Sequence, residues 1–537
     1  MADINYISLR FIPQKVSISK AKRDDFLMNK NQSNNKRIAK NTVMLYFRML
    51  LMMGVAFFMT RILLKELGVE DFGIYNIVGG VVAMFTSLRG VFASATQRFL
   101  NFEMGRKNDV ALNNIFNKSI LIHLLLALVL LVFAETVGLW FVNNKLVINP
   151  EKLFSANVVY QFSVLTALVM LLTIPFDAVI IANEKMDIYA YLSILDVVLK
   201  IGIILLLTYT EGNALILYSL SVLLVSFIIR FLSSWYCKKN FSECKFRFFW
   251  DPKLFREMGS FAGWNFLGNT AFVLANEGTN VLLNIFGGAP INAARAVAYQ
   301  VKNVSTQLTS TMMMAINPQI VKQYAEQKFK PAMDLIFFSS KISFFVLFVI
   351  ALPVLVYADI ILQLWLKIIP EYTIIFVRLI LIFVLVHVFH GPLDALFKAT
   401  GKIRNYQLIE GGTLLINLPL SYVLLYLGFE FSIVFIVMIG VELLNLACLL
   451  FLANKVANFD IKSYFSNVLF PCILAVLLTL PLVYYLLTLS NTISTTIISI
   501  IVIVIFIVCL FLVIGLNKSE KREAKKIVLQ FIKKIKK

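Results

Sequence analysis

The chain has 537 residues, 59% of them hydrophobic and only 15% charged, with a net charge of +20 and a mean hydropathy of +0.82. Soluble domains carry roughly 25% charge, so this composition excludes an ordinary soluble enzyme and points to an integral membrane protein. The positive balance fits the Lys and Arg enrichment of cytoplasmic loops rather than nucleic-acid binding, because no polar segment is long enough for a binding domain.

Residues 1–40 form a polar, basic tail without the apolar stretch of a secretory signal, and Met28 offers an alternative start just before the first apolar segment. Apolar runs of about 20 residues, the length a helix needs to cross about 30 Å of hydrocarbon, then recur to the end of the chain. They predict helices at 41–64, 72–97, 114–142, 153–182, 187–209, 213–236, 257–286, 291–318, 333–357, 372–396, 404–427, 431–453, 464–487 and 493–516. The expected fold is thus an all-α polytopic membrane protein with about fourteen spans. The N-terminal tail, the loops near 98–118, 237–256, 319–332, 398–404 and 454–463, and the C-terminal tail at 517–537 are basic; the alternate loops are short and nearly free of Lys and Arg. About 38 of the 50 basic residues fall on the first set and about 4 on the second. That bias places both termini of the expected multi-pass membrane protein in the cytoplasm.

An internal repeat divides the spans. Pro175, Asp177, Ala178, Ala182, Lys185 and Tyr189 recur at one offset of 217 as Pro392, Asp394, Ala395, Ala399, Lys402 and Tyr406. Leu63-Leu64-x-x-Leu67-Gly68 is echoed by Leu282-Leu283-x-x-Phe286-Gly287, and Gln97 by Gln319. The repeating unit is six helices, an even number, so both copies enter the membrane in the same direction, as parallel repeats about an axis along the membrane normal. The expected organisation is an N-lobe at 41–236, a basic loop at 237–256, a C-lobe at 257–453 and an extra helix pair at 464–516.

Motifs of chemistry are missing. There is no GxxxxGK[ST] loop, GxGxxG fingerprint, GxSxG elbow or HExxH helix. The cysteines (237, 244, 448, 472 and 509) form no CxxC pair and have no histidine at zinc-ligand spacing, so neither a metal nor another cofactor is expected. His387 and His390 lie one turn apart in the tenth helix and suit either a proton relay or plain helix packing. A membrane-embedded polysaccharide polymerase or ligase stays an alternative, weakened by outer loops of at most about 14 residues.

Ionisable residues inside the membrane are costly and face a bundle interior or a wet cavity. Asp196 and Lys200, four apart, are expected to pair, whereas Arg61, Glu135, Arg378 and Glu410 near helix ends can reach the interface. Arg48, about 10 Å in from the cytoplasmic end of the first helix, and Arg89, about 13 Å in on the second, share one depth. Together they suit an anion such as pyrophosphate, since a guanidinium fork matches phosphate oxygens. Glu277 and Lys302 lie about 15 and 16 Å below the outer ends of the seventh and eighth helices and are expected to pair, with Arg295 two turns above Lys302. Asn269, Asn276 and Gln300 belong to a polar stripe on the same two helices, suited to close packing or a wet cavity.

The run NTVMLYFRMLLMMGVAFFMTRILLKELGVEDFGIYNIVGG, the segment ATQRFLNFEMGRKND and the Pro-x-Asp-Ala-x3-Ala-x2-Lys pattern at Pro175 resemble O-antigen and capsule flippases. These are polysaccharide transporters of the superfamily that includes multidrug antiporters and the peptidoglycan lipid flippase. The resemblance implies two six-helix lobes around a cavity lined by helices 1, 2, 7 and 8. It also implies alternating-access transport of an undecaprenyl-pyrophosphate-linked oligosaccharide, without enzymatic chemistry. Arg48, Arg89, Arg295 and Lys302 would then hold the pyrophosphate, and Asn269, Asn276, Gln300 and Glu277 would meet sugar or serve coupling to a proton or sodium gradient. The expected partners are the lipid-linked oligosaccharide, membrane lipids and polysaccharide-assembly proteins such as a polymerase. A multidrug exporter of the same superfamily and a membrane scaffold are the competing readings.

Overall fold

Side-chain caps at Asn213, Asp460 and Thr492 begin helices of the computed structural model. The described residues are 51, 54–80, 82, 96, 99–100, 103–104, 109–183, 185–207, 212–245, 252–400, 403–489, 492–517 and 520–522. Among them the helices are α1 (54–67), α2 (69–80), α3 (Asp109–Asn144), α4 (Pro150–Ala182), α5 (Met186–Leu207), α6 (Ala214–Asn240), α7 (252–287) and α8 (289–325). They continue as α9 (Phe329–Val356), α10 (Thr373–Thr400), α11 (Ile403–Tyr426), α12 (Ile433–Ala457), α13 (Ile461–Leu489) and α14 (Ile493–Gly515). Asn213 caps α6 by accepting from the Ile216 N–H, and Asp460 caps α13 by accepting from Ser463. Thr492 and Thr495 close a reciprocal capping box on α14.

Ten of these elements are long and apolar enough to cross a membrane. The expected number of spans was higher: α7 and α8 are counted there as one, α1 and α2 are only partly described, and α5 is not among the ten. Boundaries otherwise follow the hydropathy pattern closely, with α4 ending at Ala182 and the last pair running over 461–515. The expected outer loops at 65–71 and 287–290 are tighter than a loop. The chain reverses at single glycines, Gly68 (φ 76°) and Gly288 (φ 70°), in left-handed conformations that only glycine adopts freely. The turn glycine of the C-lobe is therefore Gly288, one residue after the Gly287 of the sequence echo. A short helix, Ala358–Trp365, occupies the expected loop between α9 and α10.

The six-helix repeat shows in the packing. α4 packs on α6, α3 on α4, α5 on α6 and α4 on α5; six helices later, α10 packs on α12, α9 on α10, α11 on α12 and α10 on α11. Burial repeats at the offset of 217: Pro175 and Pro392 are buried, Asp177 and Asp394 half-buried, and Ala178 and Ala395 buried. Outside this duplication, α13 and α14 pack on each other and on α9. Their attachment is polar as well as apolar, for Glu520, just beyond α14, holds the buried Lys341 of α9 through both carboxylate oxygens (2.9 and 2.7 Å).

The two lobes meet at the Gly68 and Gly288 end. Trp365 donates its indole N–H to the Phe57 carbonyl (2.8 Å) and packs edge-on against the Phe57 ring, while Arg61 reaches the Leu364 carbonyl (3.4 Å). Asn284 of α7 accepts from the Val147 N–H (2.8 Å). Gly73 of α2 lies so close to the α7–α8 turn that a Cβ would collide with the Ala289 carbonyl oxygen.

Candidate functional site

α7 and α8 owe their geometry to a ladder of amides. Asn292 donates to the backbone and side-chain oxygens of Asn280 (both 2.8 Å) and accepts from Asn284 (2.9 Å). Such amides would be expensive against lipid, but bonded to one another across a tight hairpin they fix two helices side by side. Asn280 lies one turn beyond Asn276 of the polar stripe, and only the Gly288 turn brings its cross-hairpin partner Asn292, with Asn284, into line.

Below the ladder lies a cavity of 550 Å³ between the lobes. Its walls are α2 (Tyr75, Asn76, Gly79, Gly80), α7 (Asn276, Glu277, Asn280), α8 (from Arg295 to Thr306), α10 (Phe383, His387) and Leu414 of α11. Five residues singled out from sequence, Asn276, Glu277, Arg295, Gln300 and Lys302, therefore line one space. Arg48 and Arg89 lie outside the described residues, as does the side chain of Asn269.

The expected Glu277–Lys302 pair does not form. Glu277 instead accepts from the amides of Asn276 (2.8 Å) and Asn280 (3.4 Å), which flank it on its own helix. The Lys302 ammonium sits 4.7 Å from the Tyr299 ring centroid and 4.9 Å from that of Phe383. Aromatic faces attract a cation without forming an ion pair with it, and Lys302 lines the cavity. Arg295 is buried: its guanidinium lies over the Tyr299 ring (3.8 Å), donates to the Asn276 carbonyl (2.7 Å), and leaves its Nε unpaired. Tyr299, which both cations share, was missed from sequence because a tyrosine in an apolar span reads as packing.

The Asp196–Lys200 pair does form (2.8 Å). Lys200 lines a second cavity of 390 Å³ inside the N-lobe, with Ser163, Thr166, Tyr75 and Tyr218. Tyr75 and Gly79 line both spaces, so α2 is their common wall. The expected freedom of Arg378 at a helix end resolves into an ion pair with Asp359 of the short helix (2.7 Å).

Behind the main cavity, His387 Nδ1 lies 2.6 Å from Glu442 Oε1, the spacing of an imidazole N–H donating to a carboxylate. His390 Nε2 lies 3.2 Å from the same oxygen without the alignment of a hydrogen bond. His387 stacks on Phe383 and reaches the cavity; His390 and Glu442 are buried.

Solved structures share this architecture. An inward-facing multidrug resistance MATE transporter of the MOP superfamily aligns over 76% of this chain and 94% of its own, at 14% identity and a TM-score of 0.67. The lipid II flippase MurJ in an inward closed conformation aligns over 88% and 98%, at 13% identity and a TM-score of 0.66. An outward-facing MATE transporter aligns over 78% and 96%, at 15% identity and a TM-score of 0.57. The chain accordingly shares the fold of these MATE transporters and of MurJ. No curated protein matches the sequence. The model of the family described as polysaccharide biosynthesis protein matches residues 38–323, which include α1, α2 and the cavity-lining parts of α7 and α8. With more than half of its length matched, the chain belongs to the polysaccharide biosynthesis protein family.

Proposed function

We propose that the protein is a flippase for a lipid-linked oligosaccharide. It would carry an undecaprenyl-pyrophosphate-linked repeat unit from the cytoplasmic to the periplasmic leaflet of a bacterial inner membrane, for O-antigen or capsule assembly. The observation that carries this reading is the make-up of the inter-lobe cavity: two cations, Arg295 and Lys302, set among amides and aromatic faces. Cations suit phosphate oxygens, while amides and tyrosine faces suit sugar hydroxyls and rings. The volume of 550 Å³ falls within the range of about 300–1,000 Å³ for small-molecule sites, which fits a pyrophosphate and its adjoining sugars while the lipid tail stays in the bilayer. Arg48 and Arg89 complete the pyrophosphate site in this reading, with Glu277 the group for proton or sodium coupling. Contact between the lobes at the Gly68 and Gly288 end supports alternating access, with that end closed.

Lys302→Ala tests the assignment. A charge-assisted bond to phosphate contributes about 1.5–3 kcal/mol, so binding should weaken roughly ten- to a hundredfold. Surface polysaccharide should fall at normal protein level, with lipid-linked repeats accumulating, and Lys302→Arg should restore part of the export. Full export by Lys302→Ala would remove Lys302 from the site. Glu277 in the cavity favours a second reading, a multidrug exporter. A deletion strain with normal surface polysaccharide and raised sensitivity to cationic drugs would select it.

A further inference from the structure

The corner where α10 meets α12 contains polar atoms that packing leaves unexplained. Glu442 and Asn445 stand one turn apart on α12, and both are buried, as is His390 of α10. The Glu442 Oε2, both ring nitrogens of His390 and both amide atoms of Asn445 have no hydrogen-bond partner. A buried polar group without a partner costs about 1–3 kcal/mol, and native interiors contain few of them. Several such atoms in one corner, beside a carboxylate and two imidazoles, call for a ligand.

We propose that His387, His390 and Glu442 bind a divalent transition metal of the zinc class, set between α10 and α12 at the back of the cavity. One donor atom from each lies within 4.8 Å of the others. Four-coordinate zinc takes imidazole nitrogen at about 2.0–2.1 Å and carboxylate oxygen at about 2.0–2.2 Å, which spaces its ligands about 3.4 Å apart. The two imidazole–carboxylate spacings are 2.6 and 3.2 Å, so each histidine needs to part from Glu442 by at most about 0.8 Å to reach ligand spacing. Metal entry displaces the proton between His387 and Glu442, which leaves to water as the carboxylate oxygen and imidazole nitrogen turn to the ion. Two imidazoles and one carboxylate suit first-row transition metals such as zinc, cobalt, nickel, copper and iron(II), whereas magnesium and calcium prefer oxygen alone. Three protein ligands leave a coordination position open. Because His387 is a wall residue, the ion's charge would join that of Lys302 behind the ligand space. The site stands on its own donors, whatever the transported molecule.

The test uses the full chain, purified in lipid nanodiscs through a tag without histidine, stripped with chelator and titrated with Co2+. The expected result is one equivalent of Co2+ with the visible absorption of a four- or five-coordinate nitrogen–oxygen site, displaced by Zn2+ and unmoved by excess Na+ or Mg2+. His390→Gln and Glu442→Gln should weaken binding at least tenfold. X-ray absorption at the zinc edge of the unmodified, zinc-loaded protein should show imidazole scattering, and this measurement is independent of whether either variant folds. Absence of Co2+ binding, unchanged affinity in both variants, or a thiolate shell around zinc would each overturn the proposal. Export measured on the Lys302 variants leaves this result untouched, so the two readings fail separately.

Discussion

Asn292 shows how much one amide does inside this membrane protein. It is fully buried and bonded to both Asn280 and Asn284. Asn292→Ala leaves the Asn280 oxygen without its donor, at a cost of about 1–3 kcal/mol, and should lower the thermal midpoint of the purified protein. An unchanged midpoint in a tryptophan-fluorescence melt would show that the ladder adds nothing to stability. Polarity within an apolar run was legible from sequence, which is why Asn276, Glu277, Arg295, Gln300 and Lys302 stood out before any coordinates. Their partners were not legible. Glu277 takes neighbouring amides over a distant lysine because Asn276 and Asn280 are held beside it by their own helix, whereas Lys302 would have to leave two aromatic faces.

Among the elements, the contact of α2 with the α7–α8 hairpin joins the lobes at backbone range. The obstacle to a Cβ at Gly73 is the Ala289 carbonyl, a backbone group that no rotamer change can move aside. Gly73→Ala should therefore push the lobes apart at the Gly68 and Gly288 end and raise the population open on that side. In a cysteine-free background carrying Gln300→Cys, a membrane-impermeant maleimide applied from that side should label the Gly73→Ala protein faster. Equal labelling rates would mean that this contact does not hold the lobes together. The short helix Ala358–Trp365, which supplies the Trp365 and Leu364 contacts to α1, falls where the hydropathy pattern predicts a loop. Eight residues give too few turns for helical periodicity to stand out.

At the scale of the whole molecule, the alternation of basic and neutral loops predicts the orientation of every span. A reporter active only in the periplasm and fused after Lys537 should be silent, while a cytoplasmic reporter at the same point should be active. The reverse pattern would invert the topology, and with it the direction assigned to transport. Length and hydropathy determined the class of protein and most helix limits, because bilayer thickness fixes helix length, and the residues that recur at an offset of 217 revealed the duplication. The tertiary structure decided which polar groups meet. The Gly288 turn sets Asn280 against Asn292, the lobe interface brings α2 to α7 and α8, and the packing of α10 on α12 gathers His387, His390 and Glu442 from positions 55 residues apart. Those encounters depend on helix rotation and neighbour choice, and an apolar helix with little amphipathic bias carries almost no record of either in its own sequence.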